Sequence, residues 1–574
     1  MCRRYGFRAW LGCAVLVLRV VAAAGAEAPE HRALWVANFS YDTPAEAEQA
    51  VARAAAARLN AIYALVWYNG GQAWFQSALS PKAANVSPDY DPLGYLIQLA
   101  HARGIDVHAW FVVGQYGSTK GAVLFKEHPE WAVQTEQGPA MWYDLAQPAV
   151  RRFETDVMID CLRRYEVDGL HLDYIRYDGQ GYCTCGHCQG EFAARSGFAV
   201  RAPSRLLPAA LSVSGNPLAG LTTAQVLATF DDGHPAITRN RLGQGEAVLL
   251  NWAAQRGGVP GVNDFVTRTL ARFGAAAGTL FQLCTTETTA KYGAKSQEPP
   301  REWLTSLGYR PTPLDETKLA EVAPGGTIIL AGQYYIAAPT ALWLRQYVSA
   351  GGHCLFIDGP FYAIKEAALQ DVVGLSGTGK FFRGLRLVSP APGQEFLPAG
   401  PALDLEQERL RLSRWVEYRT WTVTELVRSV RAAALQAKPQ AKLSAAVFQN
   451  REAAAAVCQD WYGWLQAGLV DYVVTMAYLM ENTALENTLK EYKAFDPRME
   501  RIIPGISVYQ PSATQGPSSR SPELVLSQER LCRSFGAHGV AYFSSKDFSE
   551  AIATALGAGP YGAAAPVYYP ELRR

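Results

Sequence analysis

The chain has 574 residues, 49% of them hydrophobic and 14 of them Trp, enough to bury a large core and to fill more than one domain. Lys and Arg number 53 against 52 Asp and Glu, so no overall field favours nucleic acid or an anionic membrane, and a neutral or mixed partner is expected.

Residues 1–26 comprise a basic start (Arg3, Arg4, Arg8), an apolar run from Ala9 to Val21 broken by Arg19, and a small-residue end, Ala24-Gly25-Ala26. This is the pattern of a secretory signal cut after Ala26. The run is shorter than the ~20 apolar residues of a spanning helix, and it carries a charge. The mature protein is therefore expected to be exported, periplasmic or extracellular, with no stable membrane span. Its remaining eight cysteines do not suggest a scattered disulfide framework in a chain this large.

From residue 32, short apolar strands alternate with helical stretches, the order that predicts a parallel sheet covered by helices. ALWVANF (33–39), AIYALVWYN (61–69), IDVHAWFVV (105–113) and Leu170–Tyr174 are the first four strands. Residues 197–405 break the rhythm with Pro and Gly, and with EAVLLNW, GTIILAG and GGHCLFIDG as short buried strands of a separate α/β module. A helix from about Thr424 restarts it, followed by KLSAAVF (442–448), DYVVTMAY (471–478), IIPGISVY (502–509) and GVAYFSS (539–545). The expectation is a (β/α)8 TIM barrel, its halves at 30–196 and 406–556, with an α/β domain inserted after strand four. The tail, 557–574, carries no motif and reads as a loosely held end.

HLDYIRY (171–177) is the most informative stretch. Strand alternation sets His171 and Asp173 on one face, towards the barrel interior, and Leu170 and Leu172 on the other. A carboxylate at the C-terminal end of such a strand sits where the active sites of these barrels lie. Asp168, in the turn before the strand, falls at the opposite end and reads as structural.

RLNAIYALVWYNGG, DPLGYLIQLAHARGIDVHAWF, HPEWAV and YEVDGLHLDYIRY resemble the N-terminal half of the glycosyl hydrolase-like family 10 barrels. QDWYGWLQAGLVDYVVTMAY and IIPGISVYQ resemble the C-terminal half. The resemblance covers roughly 32–196 and 412–550 and implies a TIM barrel acting on glycosidic bonds of a polysaccharide or oligosaccharide, with bacterial cell-wall glycan as one substrate class. Asp173 matches the acid of the family's strand-four motif.

Glycoside cleavage normally uses a pair of carboxyl groups. Strand seven has no Glu, so Glu481, just after strand six, is the second choice for the pair and Glu417, in WVEYRTW, the third; a place at a helix start is the other reading of Glu417. A single acid with Tyr478 would suffice if the substrate's own acetamido group were the nucleophile. Trp67 with Asn69, and His108 with Trp110, share faces on strands two and three and could stack or hydrogen-bond a sugar, core packing being the alternative for each Trp. Arg176 and Tyr177 would contact substrate or orient Asp173.

Cys183, Cys185 and Cys188 follow strand four within YCTCGHC, the close spacing of a structural zinc site, with His187 or Cys161 as fourth ligand and a disulfide as the competing reading. The cluster is similar to the zinc loop of the family 42 β-galactosidases. The insert weakly resembles the amidotransferase-like domain of some β-galactosidases, with Cys354 as a core thiol. No phosphate-binding loop or dinucleotide fingerprint occurs, so no cofactor is expected for catalysis. A homo-oligomer remains open.

Overall fold

The computed structural model describes residues 28–68, 70–115, 123–135, 138–200, 209–215, 218–252, 254, 260–293, 297–359, 364–378, 382–391, 405–510 and 518–570. Eight parallel strands close on themselves: β1 (His31–Val36), β2 (Ala61–Tyr68), β3 (Asp106–Val112), β4 (Gly169–Asp173), β5 (Lys442–Phe448), β6 (Tyr472–Met476), β7 (Ile502–Ser507) and β8 (Gly539–Phe543). Each pairs with the next, and β1 pairs with both β2 (Ala33 with Ala61) and β8 (His31 with Gly539), which removes both sheet edges.

The strands are buried on both faces, so their sequences read as apolar runs. Leu34, Ile62, Val107, Leu170 and Leu172 join the layer beneath the helices. Ala33, Trp35, Tyr63, Trp110, Tyr472 and Val474 fill the interior. Two glycines make that aromatic filling possible. A Cβ on Gly505 would lie 2.8 Å from the Trp35 ring, and one on Gly169 would lie 2.3 Å from His108 Nδ1.

Capping chemistry sets the helix starts. Thr43 and Glu46 form a reciprocal capping box on α1 (Pro44–Ala56), and Asp91 caps α2 (Pro92–His101). α3 (Pro148–Arg164) precedes β4, and α4 (Gly186–Ser196) follows it. The helix entering β5, α5 (Leu405–Ala437), begins well before Thr424 and runs for 33 residues, packed against α3 and α4. Among the described residues no helix is long and apolar enough to cross a membrane.

Between β4 and β5 the chain builds a second nine-stranded sheet from strands lying between residues 209 and 390. Its parallel part, with Gly245–Leu250, Leu280–Cys284, Thr327–Ala331 and His353–Ile357, has hydrophobic clusters of its own, and Cys354 is a buried thiol in one of them.

The tail differs from expectation. Residues 559–570 are docked across the N-terminal end of the barrel. The Tyr569 hydroxyl donates to Asp106 Oδ2 (2.6 Å) and lies 2.8 Å from His108 Nε2. The carbonyls of Ala563, Ala565, Pro566 and Tyr568 meet Arg32, Asn60, the Glu30 backbone N–H and His31. With alanine, glycine and proline upstream, the segment has no periodic pattern, because it pairs through single carbonyls and its three tyrosines, Tyr561, Tyr568 and Tyr569.

Candidate active site

Asp173 ends β4 at the C-terminal mouth of the barrel, with only 5% of its surface exposed. The Trp110 indole N–H donates to Oδ2 (3.1 Å) and the Tyr174 backbone N–H to Oδ1 (2.7 Å). Tyr174 takes a left-handed backbone (φ 51°), which is strained for an aromatic residue and turns its N–H onto the carboxylate. Burial pushes the Asp173 carboxyl up to about 6, against the lowering effect of these donors and of the Arg176 charge. The group therefore keeps its proton at mildly acidic pH, where an ordinary carboxyl would have lost it.

The wall around it is aromatic. Trp142 stacks on Tyr174 (ring centroids 5.8 Å apart), and the Arg176 guanidinium lies 4.5 Å from the Tyr174 ring centroid and 5.0 Å from that of Trp142. Tyr478, just past β6, stacks on Phe543, and burial together with the nearby Asp173 charge holds its phenol well above its ordinary range.

Below Asp173, one chain of hydrogen bonds fixes the interior. The Trp35 indole N–H donates to His171 Nε2 (3.0 Å), and because an indole can only donate, the His171 proton sits on Nδ1, facing Ser444 Oγ at 2.9 Å. Burial drives the His171 pKa well below its usual value, so the ring is neutral and positions Trp35.

Several sequence-derived assignments change here. Trp67 is not at the mouth. A register shift between Leu65 and Trp67 in the β2–β3 pairing turns it into the layer under the helices, and Tyr68 packs against the interior cluster instead. Asn69 lies outside the described residues. His108 is at the opposite end of the barrel, held by Tyr569, whereas Trp110, one alternation further along β3, reaches Asp173. Tyr177 is buried away from the mouth, its hydroxyl 2.9 Å from Thr422 Oγ1 and its ring under Arg419.

Glu417 lies within α5 rather than at a helix start. It is 57% exposed and paired with Arg414, on the face opposite the buried Trp415 and Arg419, so it points to solvent. Glu481 is exposed at the N-cap of α6 (Asn482–Phe495), without a capping hydrogen bond. Asp168 accepts from the Val107 N–H and lies 2.9 Å from His101 Nε2, a structural role at the far end.

Cys183, Cys185 and Cys188 come together, and their fourth neighbour is neither His187 nor Cys161. His187 faces the Ala146 carbonyl and Glu191, and Cys161 is buried on α3. The neighbour is Asp144, which sequence reading missed because YDLAQP looks like an ordinary turn before a helix. Trp142, Tyr174 and Trp35 were also missed as site residues; the Trp before the Asp144 turn was the available signal.

Residues 30–189 match the profile of a family described as Glycosyl hydrolase-like 10. Glycosyl hydrolase DigH of Escherichia coli K12 is 30% identical over 102 residues, 15% of this chain and 23% of that protein. Glycosyl hydrolase YngK of Bacillus subtilis 168 is 26% identical over 116 residues, 18% of this chain and 22% of that protein. The chain thus spans about a quarter of these relatives' length. Among solved structures, a β-galactosidase from Bacillus circulans sp. alkalophilus aligns with TM-score 0.42 and 11% identity over 90% of this chain and 50% of that one. The PgaB (BpsB) glycoside hydrolase domain from Bordetella bronchiseptica aligns with TM-score 0.38 and 10% identity over 91% and 95%. These superpositions are loose, and the barrel assignment stands on the strand pairing.

Proposed function

We propose that the protein is an exported glycoside hydrolase that cleaves O-glycosidic bonds in a polysaccharide, with cell-wall glycan as the substrate class. The observation that carries the reading is Asp173: a buried carboxyl, with a pKa near 6, at the catalytic end of a TIM-barrel strand and walled by aromatic rings. The match of residues 30–189 supports it from the sequence side, and the leader pattern of residues 1–26 supports export.

In this reading, protonated Asp173 donates to the leaving glycosidic oxygen as an oxocarbenium-like state develops. Trp110 and the Tyr174 N–H hold the carboxyl in one orientation and receive the carboxylate once the proton has left. Trp142 and Tyr174 offer flat faces to the sugar ring, Arg176 steadies both, and Tyr478 stands beside Asp173, stacked on Phe543. Glu481, just past β6 at the same end of the barrel, is the partner carboxyl this reading assigns.

A carbohydrate-binding barrel without catalysis is the second reading, favoured by the outward orientation of Glu417 and the exposed position of Glu481. The wild type and Asp173→Asn are incubated with a polysaccharide panel that includes peptide-free cell-wall strands, and new reducing ends are counted. Hydrolysis by the wild type, reduced roughly 100- to 10,000-fold in the variant, is the expected result. Equal activity in both removes Asp173 as the acid, and binding without cleavage in both establishes the second reading.

A further inference from the structure

We propose that Asp144, Cys183, Cys185 and Cys188 form a closed, structural zinc site that locks the aromatic wall of the barrel mouth in place. Asp144 Oδ2 lies 3.4, 3.3 and 3.3 Å from the sulfurs of Cys183, Cys185 and Cys188, and all four ligand atoms fall within 4.8 Å of one another. Tetrahedral zinc, with Zn–S of about 2.3 Å and Zn–O of about 2.0–2.2 Å, requires sulfur-to-oxygen edges of about 3.5 Å. One carboxylate oxygen equidistant from three sulfurs is the shape of that polyhedron. The spacing is too tight to surround a multinuclear iron–sulfur cluster, and a mixed set of three thiolates and one carboxylate suits zinc, which accepts soft and hard donors without redox chemistry.

The surroundings are those of metal-bound thiolates. The Gln134 N–H donates to the Cys183 sulfur (3.4 Å) and the Cys188 N–H to the Cys185 sulfur (3.3 Å). Cys185 is also the N-cap of α4, where the helix dipole favours negative charge. Binding Zn2+ releases three thiol protons and leaves a net charge of −2. The fully buried Arg419 offsets part of that charge, with Nη1 3.8 Å from Asp144 Oδ1.

The site joins three segments. Asp144 follows the hairpin strand Gly138–Tyr143, the cysteines follow β4, and Arg419 brings in α5. Trp142 stands two residues before Asp144 and Tyr174 nine before Cys183, so the Trp142–Tyr174 stack is tethered on both sides by one ion. With four protein ligands the ion has no open position for water and holds the wall without taking part in chemistry.

The test is elemental analysis of the full chain purified from zinc-supplemented medium, where one zinc per chain is expected. Titrating wild-type thiols with a mercurial in the presence of a zinc-responsive dye should release that zinc in step with modification of the loop cysteines. Asp144→Cys should keep the metal, whereas Asp144→Ala and Cys183→Ser should lose it. Protein without metal that takes up none from micromolar zinc overturns the proposal, as does bound iron, or a thiol count in denaturant of six rather than the eight cysteines that follow residue 26, which reports a disulfide in the loop. None of these readouts depends on glycosidase activity, so the metal site and the proposed function stand or fall separately.

Discussion

A carboxyl group is costly to bury in charged form, and at Asp173 that cost opposes the fold once the pH rises above about 6. Its pKa is raised from 3.8 to about 6, so the folded state holds this proton more tightly than the unfolded chain. The favourable contribution is complete below about 4 and is lost as pH rises through about 6. Asp173→Asn should therefore raise the melting temperature at pH 8, with a gain of at most about 3 kcal/mol, while lowering any hydrolysis roughly 100- to 10,000-fold. In the wild type, kcat/KM should fall as pH rises above about 6, which a pH–rate profile checks; a profile flat to pH 9 would contradict the assignment. Asp173 and Trp110 were legible in the sequence, because strand alternation places them without further information. Trp67 and His108 were not: a one-residue register shift re-aimed the first, and the second lies on the correct face at the wrong height. Periodicity gives a side chain's face and says nothing of its depth along the barrel axis.

At the scale of elements, β1, β3 and β4 each place a histidine inside the barrel. Burial lowers His31 to about 4 and His108 to about 3, and drives His171 well down. The unfolded chain would bind protons near pH 6.5 that the folded barrel refuses, so stability is complete above about 6.5 and is lost as pH falls towards 4. Each histidine contributes a slope of roughly 1.4 kcal/mol per pH unit in that window. Denaturant unfolding at pH 7 and pH 5 should show the fall, and equal midpoints would contradict it. The tail enters the same network. Tyr569→Ala would remove the hydroxyl that Asp106 and His108 share at the barrel floor and should cost roughly 2–3 kcal/mol, whereas Tyr569→Phe should restore packing but not the bonds. Strand and helix positions were readable from apolar runs and caps. The early start of α5 was not, because LEQERLRLSRWVEYRTW is strongly charged and its buried stripe of Leu412, Trp415, Tyr418 and Arg419 is completed by contacts outside the helix, to Gln180, Glu191 and Tyr177.

For the whole molecule, the eight-strand rhythm survives an interruption of some two hundred residues because β4 and β5 still pair, Lys442 with Gly169 and Leu443 with Leu170. Barrel closure was legible because each βα unit carries its own pattern. Asp144 was invisible for the opposite reason: its meaning lies in a cluster assembled from separate loops, with no local motif on its own strand. The docked tail has a temporal consequence. Asp106 and His108 meet Tyr569 across 463 and 461 positions of sequence, and His31 meets Tyr568 across 537. Contacts this remote make for slow folding, since loop-closure entropy is spent before they form. Until the segment around Tyr568 and Tyr569 is in place, the barrel's first half keeps its floor open.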